Sequence, residues 1–200
     1  MLLEGRTVGR LAVVSVVLVP FASSEAHAGA GIQNLALTRP VTRTAGSSSG
    51  AALSTLTDGL FLPAGTSWQS GTVWWQGTGT VFEIALDGVV EVQGAIVQAD
   101  NNDTYRMWYR DVLTDDYLEL WTIGAVGGAG MRTRPDPGDS TEIHFLASPV
   151  WTDSIRIAAI GGDSSYSLSE VQVWGTIPAP AGLAVLGLAG SLGGRRRRDR

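Results

Sequence analysis

The chain of 200 residues contains no cysteine and no lysine. Without cysteine it has neither disulfides nor thiolate chemistry, so it must rest on a hydrophobic core, for which about 150 residues suffice. Long stretches with apolar residues at helical three-and-four spacing are also missing, which predicts few helices. His144 is the only histidine beyond the first 28 residues, and no H-E-x-x-H zinc motif occurs. We therefore predict no catalytic residues and a non-enzymatic protein.

Positive charge is scarce in the middle of the chain. Residues 29–176 carry seven arginines against sixteen aspartates and glutamates. This excess of negative charge argues against nucleic acid and anionic membrane surfaces as partners.

The first 28 residues have the parts of a secretory signal peptide. A head with two arginines precedes the apolar run Leu11–Ala22, and the segment ends in the small-residue pattern Ala26–Ala28. The run is shorter than the roughly 20 apolar residues that a membrane-spanning helix needs. We expect cleavage after Ala28 and export of the remaining chain.

Residues 177–200 form a second targeting segment, in which a short apolar helix is followed by the basic run Arg195–Arg198. Such a cluster stays on the cytoplasmic side and halts export. The order of parts resembles PEP-CTERM sorting segments, with Pro178-Ala179-Pro180 where that family has a central glutamate. The resemblance implies transient residence in the inner membrane and removal by an exosortase-type protease. A simple C-terminal anchor is the alternative.

Between these ends, apolar and polar residues alternate as they do in half-buried strands. Phe82, Ile84 and Leu86 share one predicted face, and Tyr105, Met107 and Tyr109 share another. Further strands are predicted at 89–98, 117–122, 141–146, 154–160 and 166–174, separated by Gly, Asp and Pro turns. This spacing predicts an all-β sandwich.

The ordered segments Asn34–Leu37, Leu56–Gly59, Phe82–Gly88, Val97–Tyr105 and Tyr166–Trp174 resemble the discoidin, or coagulation-factor type C, family. The resemblance covers nearly all of residues 34–175. It implies a galactose-binding-like jelly roll, with ligands bound by loops at one end of the sandwich. We accordingly divide the chain into a signal peptide (1–28), a discoidin-like domain (29–176) and a sorting segment (177–200).

The domain contains seven tryptophans, and flat aromatic rings beside planar polar groups are what a sugar site needs. Trp68 and Trp174 match structural positions of the family. Trp74 and Trp75 are adjacent and must face opposite ways in a strand. We choose Trp75 as the candidate ligand contact, with simple packing as its alternative.

Polar ligand contacts are predicted in two loops. Arg132 and Arg134 follow a glycine-rich loop and are candidates to donate hydrogen bonds to a ligand. Asn102 and Asp103 lie in an oxygen-rich turn and are candidates to accept or donate them. The alternative for all four is an ordinary surface or turn role.

The resemblance also implies a structural calcium ion. Asp58 and Glu170 match the family's carboxylate positions, and carbonyl oxygens would complete a shell of six to eight ligands. In the alternative, Asp58 caps a turn and Glu170 pairs with an arginine.

Two functions remain open. The first is an exported, non-catalytic module that binds a carbohydrate or exopolysaccharide in the cell envelope or extracellular matrix. The second is a structural envelope or matrix protein that makes protein contacts and has no sugar site.

Overall fold

The computed structural model describes residues 31–178, and these are almost entirely strand and turn. The strands are β1 (Gln33–Asn34), β2 (Val41–Ala45), β3 (Ser49–Gly50), β4 (Val73–Gln76), β5 (Val81–Asp100), β6 (Thr104–Arg110), β7 (Tyr117–Ile123), β8 (Met131–Arg134), β9 (His144–Gly161) and β10 (Ser165–Thr176). A short 3-10 helix spans Leu53–Thr57. The predicted signal peptide and all but the first two residues of the predicted sorting segment lie outside the described range.

All strand pairs are antiparallel, in the order β3-β4-β10-β5-β9-β6-β7, with β1 added to β10 and with β2 and β8 added to β5. The long strands β5, β9 and β10 bend from one layer of the sandwich into the other, as bulged strands do. This arrangement confirms the predicted all-β, galactose-binding-like jelly roll. Among the described residues, none belongs to a helix long and apolar enough to cross a bilayer.

The core lies between the two layers and follows the predicted alternation. Phe82, Ile84 and Leu86 point inward from β5 and are at most 5% exposed. Ile155 and Ile157 lie beside them on the same face of the sheet, because they are the β9 partners of Ile84 and Phe82. Burial of each such side chain contributes about 1.5–3 kcal/mol.

One predicted turn, and one gap between two predicted strands, lie inside strands. Asp87-Gly88 lies within β5, where Gly88 has a φ of +87° and the register with β9 shifts. Residues 141–146 and 154–160 were predicted as separate strands, but β9 runs from His144 through Pro149 to Gly161. A proline is tolerated there because Pro149 is exposed beside another irregularity in the ladder.

The strand directions place two turns at one end of the sandwich. β10 begins at Ser165 and pairs with the last residues of β5, so the β5–β6 turn at 101–103 meets the β9–β10 turn at 162–164. β1 pairs with the opposite end of β10. A side chain at Gly162, whose φ is +143°, would collide with Asp103, so glycine is required for the two turns to meet.

Candidate functional site

A pocket of about 500 Å³ opens where these turns meet, and we call it the loop-end pocket. Three further segments contribute to it: the loop that carries Trp68, the glycine-rich β7–β8 loop, and the start of β10. Its lining residues are Gly65, Ser67, Trp68, Asp100, Asn101, Asn102, Gly128, Ala129, Gly130, Asp163 and Ser165.

Trp68 supplies the aromatic surface of the loop-end pocket. It is half-buried, and its ring meets Trp74 edge to face, with centroids 5.5 Å apart and an interplanar angle of 81°. The hydroxyl of Thr72 donates to the Trp68 carbonyl and so holds the loop. One indole is therefore fixed with part of its surface open to the pocket, although the sequence predicted a structural role for it.

Amides and a carboxylate bridge the loops around the pocket. The Asn101 side chain donates to the Gly128 carbonyl at 2.9 Å, and the Asn102 side chain donates to Asp163 Oδ2 at 2.9 Å. Asp163 Oδ1 accepts from the Ser165 backbone at 2.9 Å. The predicted ligand contact Asn102 is exposed and lines the pocket, so the structure places it where a ligand contact would be.

Three carboxylates converge here without an arginine partner among the described residues. Asp163 is exposed, Asp100 is 6% exposed, and Asp103 is fully buried beneath the pocket. Burial raises the pKa of Asp100, and Asp163 adds to the rise. Burial, with the charges of Asp100 and Asp163, raises the pKa of Asp103 to about 6. These carboxylates make no direct ion pair within residues 31–178, although the charge of Arg134 acts on Asp100 through space and Arg132 lies beside Gly128 at the pocket.

The side chain of Asp103 is fully buried beneath the pocket, which contradicts the prediction of a direct ligand contact. Its carboxylate accepts from the Asp163 backbone and from the Tyr105 hydroxyl, each at 3.3 Å. It is buried because β6 begins immediately after it and turns its side chain under Gly162. Asp103 holds the two turns together from below.

Arg134 is also buried, at 2% exposed, so its predicted contact with a ligand is wrong. Its guanidinium donates to backbone carbonyls at the end of β5, including those of Ala99 at 2.9 Å and Asp100 at 2.7 Å. It also donates to the carbonyl of Asn101 at 3.3 Å. β8 pairs with β5 and carries this side chain beneath the turn, where burial lowers the pKa of Arg134. Arg134 thus orders the turn that shapes the pocket.

Arg132 lies beside the pocket. It is half-buried. Its guanidinium packs so closely on Gly128 that a side chain at position 128 would collide with it. Its Nε is buried and lacks a hydrogen-bond partner within the described range. Its role in ligand binding remains a prediction.

Trp75 is in the core and is 1% exposed, so the choice between the adjacent tryptophans was wrong. The two do face opposite ways, but Trp74 is the more exposed. Trp75 packs edge to face on Phe82 at 5.0 Å and lies 5.9 Å from Tyr166. β4 pairs with β10, which directs Trp75 between the layers.

The predicted calcium ligands meet elsewhere in the domain. Glu170 is fully buried; its Oε1 accepts from the Gly59 backbone at 3.1 Å, and its Oε2 has no partner in the described part of the chain. Burial, with the nearby charge of Asp58, raises the pKa of Glu170 to about 8. No group of three or more His, Asp or Glu side chains suited to a metal occurs within residues 31–178. Two carboxylates, one with a buried free oxygen, fit a calcium ion whose other ligands are carbonyls.

His144 and Ser48 are of residue types that are common in catalytic sites, but each has another structural role. His144 stacks flat on Trp121, with ring centroids 4.3 Å apart, and burial lowers its pKa. Residues 46–50 match G-x-S-x-G, a match that sequence reasoning overlooked. They form the β2–β3 turn, and Ser48 accepts a hydrogen bond from Arg43 at 3.0 Å. A nucleophile elbow needs a strand-to-helix turn, which this segment is not.

The chain matches no protein-family model and no curated protein sequence. Solved structures share its architecture. The family 32 carbohydrate-binding module of Streptococcus pneumoniae EndoD is similar with a TM-score of 0.51 and 10% identity, covering 72% of this chain and 100% of that one. The described residues therefore have the galactose-binding-like fold.

Two further structures show the same fold. The lectin domain of lectinolysin, complexed with Lewis B antigen, has a TM-score of 0.52 and 10% identity, over 72% of this chain and 98% of that chain. A serum fucolectin of striped bass, Morone saxatilis, has a TM-score of 0.51 and 13% identity, over 73% and 50% of the respective chains. At such low identity these likenesses establish the fold of the galactose-binding-like domain and no more.

Proposed function

We propose that the galactose-binding-like domain is a non-catalytic module that binds a saccharide in the loop-end pocket. The observation that carries the proposal is the half-buried ring of Trp68 beside the carboxylate and amide groups of Asp163, Asn101 and Asn102. A sugar ring has an apolar face that packs on an indole, and hydroxyls that pair with planar acceptors and donors. The pocket offers both kinds of surface at one place.

The charge of the loop-end pocket restricts the class of saccharide. Asp100 and Asp163 line it and Asp103 lies beneath it, while Arg134 is buried under the turn and Arg132 lies at the edge beside Gly128. A uronic acid would be repelled there, whereas a hydroxyl or an ammonium group would be attracted. We expect neutral or amine-bearing saccharides to bind in preference to acidic ones.

The fold supports the proposal by analogy. The structures of similar fold include a carbohydrate-binding module and a lectin domain complexed with a saccharide antigen. Related folds host many functions, so the residues of the pocket have to carry the assignment.

We further propose that the domain works outside the cytoplasm. The signal-peptide pattern of residues 1–28 supports export, and the PEP-CTERM-like segment 177–200 supports processing by an exosortase-type enzyme and a location in the envelope or exopolysaccharide matrix. The rival is a structural envelope protein without a sugar site.

A structural calcium ion between Glu170 and Asp58 is part of the proposal. The buried, unpartnered Glu170 Oε2 supports it, because an ion would replace a missing partner and favour the charged carboxylate. These two residues would hold the ion together with carbonyl oxygens, and the ion would stabilise the loop around Gly59.

The test is a binding screen of the purified full chain against immobilised neutral, amine-bearing and acidic glycans. Saturable binding to one of the first two classes is expected, weakened about tenfold or more in Trp68→Ala, the equivalent of about 1.4 kcal/mol. Trp151→Ala is the matched control, because Trp151 is 43% exposed and lies outside the pocket. A folded protein that binds nothing in the screen would favour the structural rival.

A further inference from the structure

A second concave region lies on the outer face of the sheet formed by β5, β9, β6 and β7. It is a cleft of about 610 Å³, and we call it the sheet-face cleft. Its lining residues are Glu83, Ala85, Leu86, Gly88, Arg110, Asp115, Tyr117, Asp153, Ser154 and Arg156. It shares no lining residue with the loop-end pocket.

The register of the four strands arranges these side chains in adjacent rows. One row runs through Glu83, Arg156, Trp108 and Glu119, which are successive cross-strand partners. In the neighbouring row, Ala85 pairs with Ser154 and Arg110 pairs with Tyr117. Four strands about 4.8 Å apart give rows roughly 14 Å long, which suits a chain of several sugar rings better than a single ring.

The small side chains of Ala85 and Ser154 form the floor of the cleft, and ion pairs form its walls. On one side, Arg110 makes a two-pronged contact with Asp153 and donates to Asp115 at 2.8 Å. On the other, Arg156 Nε donates to Glu83 Oε2 at 2.8 Å. The walls are therefore held in place before any ligand arrives.

Part of the hydrogen-bonding capacity of these walls is unused among the described residues. Arg156 donates only through its Nε, and Glu83 accepts only through Oε2. The same Oε2 also accepts a hydrogen bond from the Tyr117 hydroxyl at 3.0 Å. The terminal nitrogens of Arg156 and the Oε1 of Glu83 have no hydrogen-bond partner among the described residues. A free donor beside a free acceptor matches two neighbouring hydroxyls, one accepting and one donating.

Flat groups accompany these polar atoms. The guanidinium of Arg156 stacks 3.6 Å from the centroid of Tyr117, and that of Arg106 lies 6.0 Å from the centroid of Trp108. Trp108 points away from the core and is half-buried, so part of its ring is exposed to solvent. Arg156 thus covers the ring of Tyr117, and the aromatic surface next to the hydroxyl-binding groups is that of Trp108, which lies beside the cleft as the cross-strand partner of Arg156.

We propose that the sheet-face cleft is a second saccharide site, which takes an extended segment of a neutral polysaccharide. The ligand class follows from the charges: two arginines face three carboxylates, so the cleft is nearly neutral and offers no net attraction to a strongly charged chain. The site rests on its own geometry and stands whether or not the loop-end pocket binds a sugar.

The experiment is native electrophoresis of the full chain through gels that contain a neutral β-glucan, galactan or mannan. Ala85→Tyr fills the floor of the cleft from an exposed position without removing an ion pair. It is expected to weaken the retardation by the retaining polysaccharide about tenfold. Thr44→Tyr, an exposed substitution on the neighbouring strand β2, is the control and should leave retardation unchanged.

Trp68→Ala separates the two sites. If only Trp68→Ala weakens retardation, the sheet-face site is overturned and the loop-end pocket stands. If only Ala85→Tyr weakens it, the sheet-face site stands and the loop-end pocket does not. Absence of retardation in all three gels also overturns the sheet-face site. Should Ala85→Tyr melt well below the native chain, Glu83→Gln, which removes the open carboxylate, replaces it with the same expected loss.

Discussion

The loop-end pocket and the sheet-face cleft treat charge in opposite ways. In the cleft, each arginine is paired with a carboxylate, as Arg156 is with Glu83. At the loop end, the carboxylates of Asp100 and Asp163 line the pocket. A nearby arginine, Arg134, donates its hydrogen bonds to backbone carbonyls beneath the pocket. The first arrangement is a set of direct ion pairs, whereas the second keeps its carboxylates and arginines apart.

The difference teaches how this domain keeps a polar site available. A buried guanidinium satisfies the carbonyls of the β5–β6 turn, which fixes the turn without a direct ion pair to its acids. Burial is the largest cause of the raised pKa of Asp103, and the charges of Asp100 and Asp163 add to it through repulsion. A ligand that brings hydroxyl or ammonium hydrogens relieves this repulsion.

The largest expected effect is on stability, from replacing the buried arginine. Arg134→Gln should lower the free energy of unfolding by at least about 3 kcal/mol, because several buried carbonyls lose a charged donor. The counterpart in the cleft, Arg156→Gln, should cost less than about 1 kcal/mol, since its side chain is 36% exposed. Urea denaturation of the three proteins measures both values. Equal losses would show that the two arginines are not placed in such different environments.

The next effect concerns Glu170, a buried carboxylate outside both sites that also lacks an arginine partner among the described residues. Its pKa in the folded domain, about 8, lies above its ordinary value of 4.5, so the folded state binds the proton more tightly than the unfolded chain does. The contribution of Glu170 to calcium-free stability should therefore be fully present below pH 4.5 and be lost, by a few kcal/mol, as the pH rises from 4.5 through 8. Glu170→Gln should remove this fall and melt higher than the native chain at pH 8.

Calcium sharpens the same prediction. Adding the ion at pH 8 should raise the melting temperature of the native chain, and a chelator should reverse the rise. Neither treatment should affect Glu170→Gln, and Asp58→Asn should respond weakly. If chelator and calcium leave the native melting temperature unchanged, the calcium proposal is wrong and the pH effect belongs to the proton alone.

A smaller effect tests the charge of the loop-end pocket. Asp163→Asn should weaken binding of a glucosamine oligosaccharide about three- to tenfold and change binding of its N-acetylated, neutral counterpart less, since only the amine is attracted by charge. Asp116→Asn, an exposed substitution that lines neither site, is the matched control. Calorimetric titration at two salt concentrations checks both. A loss that is equal for the two oligosaccharides would contradict the charge preference.

Much of the fold was predictable because alternation reports burial directly. Phe82, Ile84 and Leu86 on one strand and Tyr105 and Met107 on another are buried as predicted. The limits were at strand ends: Asp87-Gly88 has the composition of a turn but forms a bulge inside β5. A local sequence does not show that a distant strand will continue the ladder past such a bulge.

The site was less predictable, since it depends on which strands pair. Alternation shows that Trp74 and Trp75 face opposite ways, but the pairing of β4 with β10 decides which one enters the core. Arg134 is buried by the pairing of β8 with β5. Trp68 lies in a turn-rich loop without periodicity, so nothing local showed that its ring would line a pocket.

The most direct test of the central claim is to locate a bound saccharide by the indole N–H signals of the seven tryptophans in a labelled full chain. Titration with the best-bound glycan of the screen should shift the signal of Trp68 and the side-chain amides of Asn101 and Asn102, and leave Trp75 and Trp151 unmoved. Shifts confined to other tryptophans, with Trp68 unchanged at saturation, would contradict the assignment of the loop-end pocket as the saccharide site.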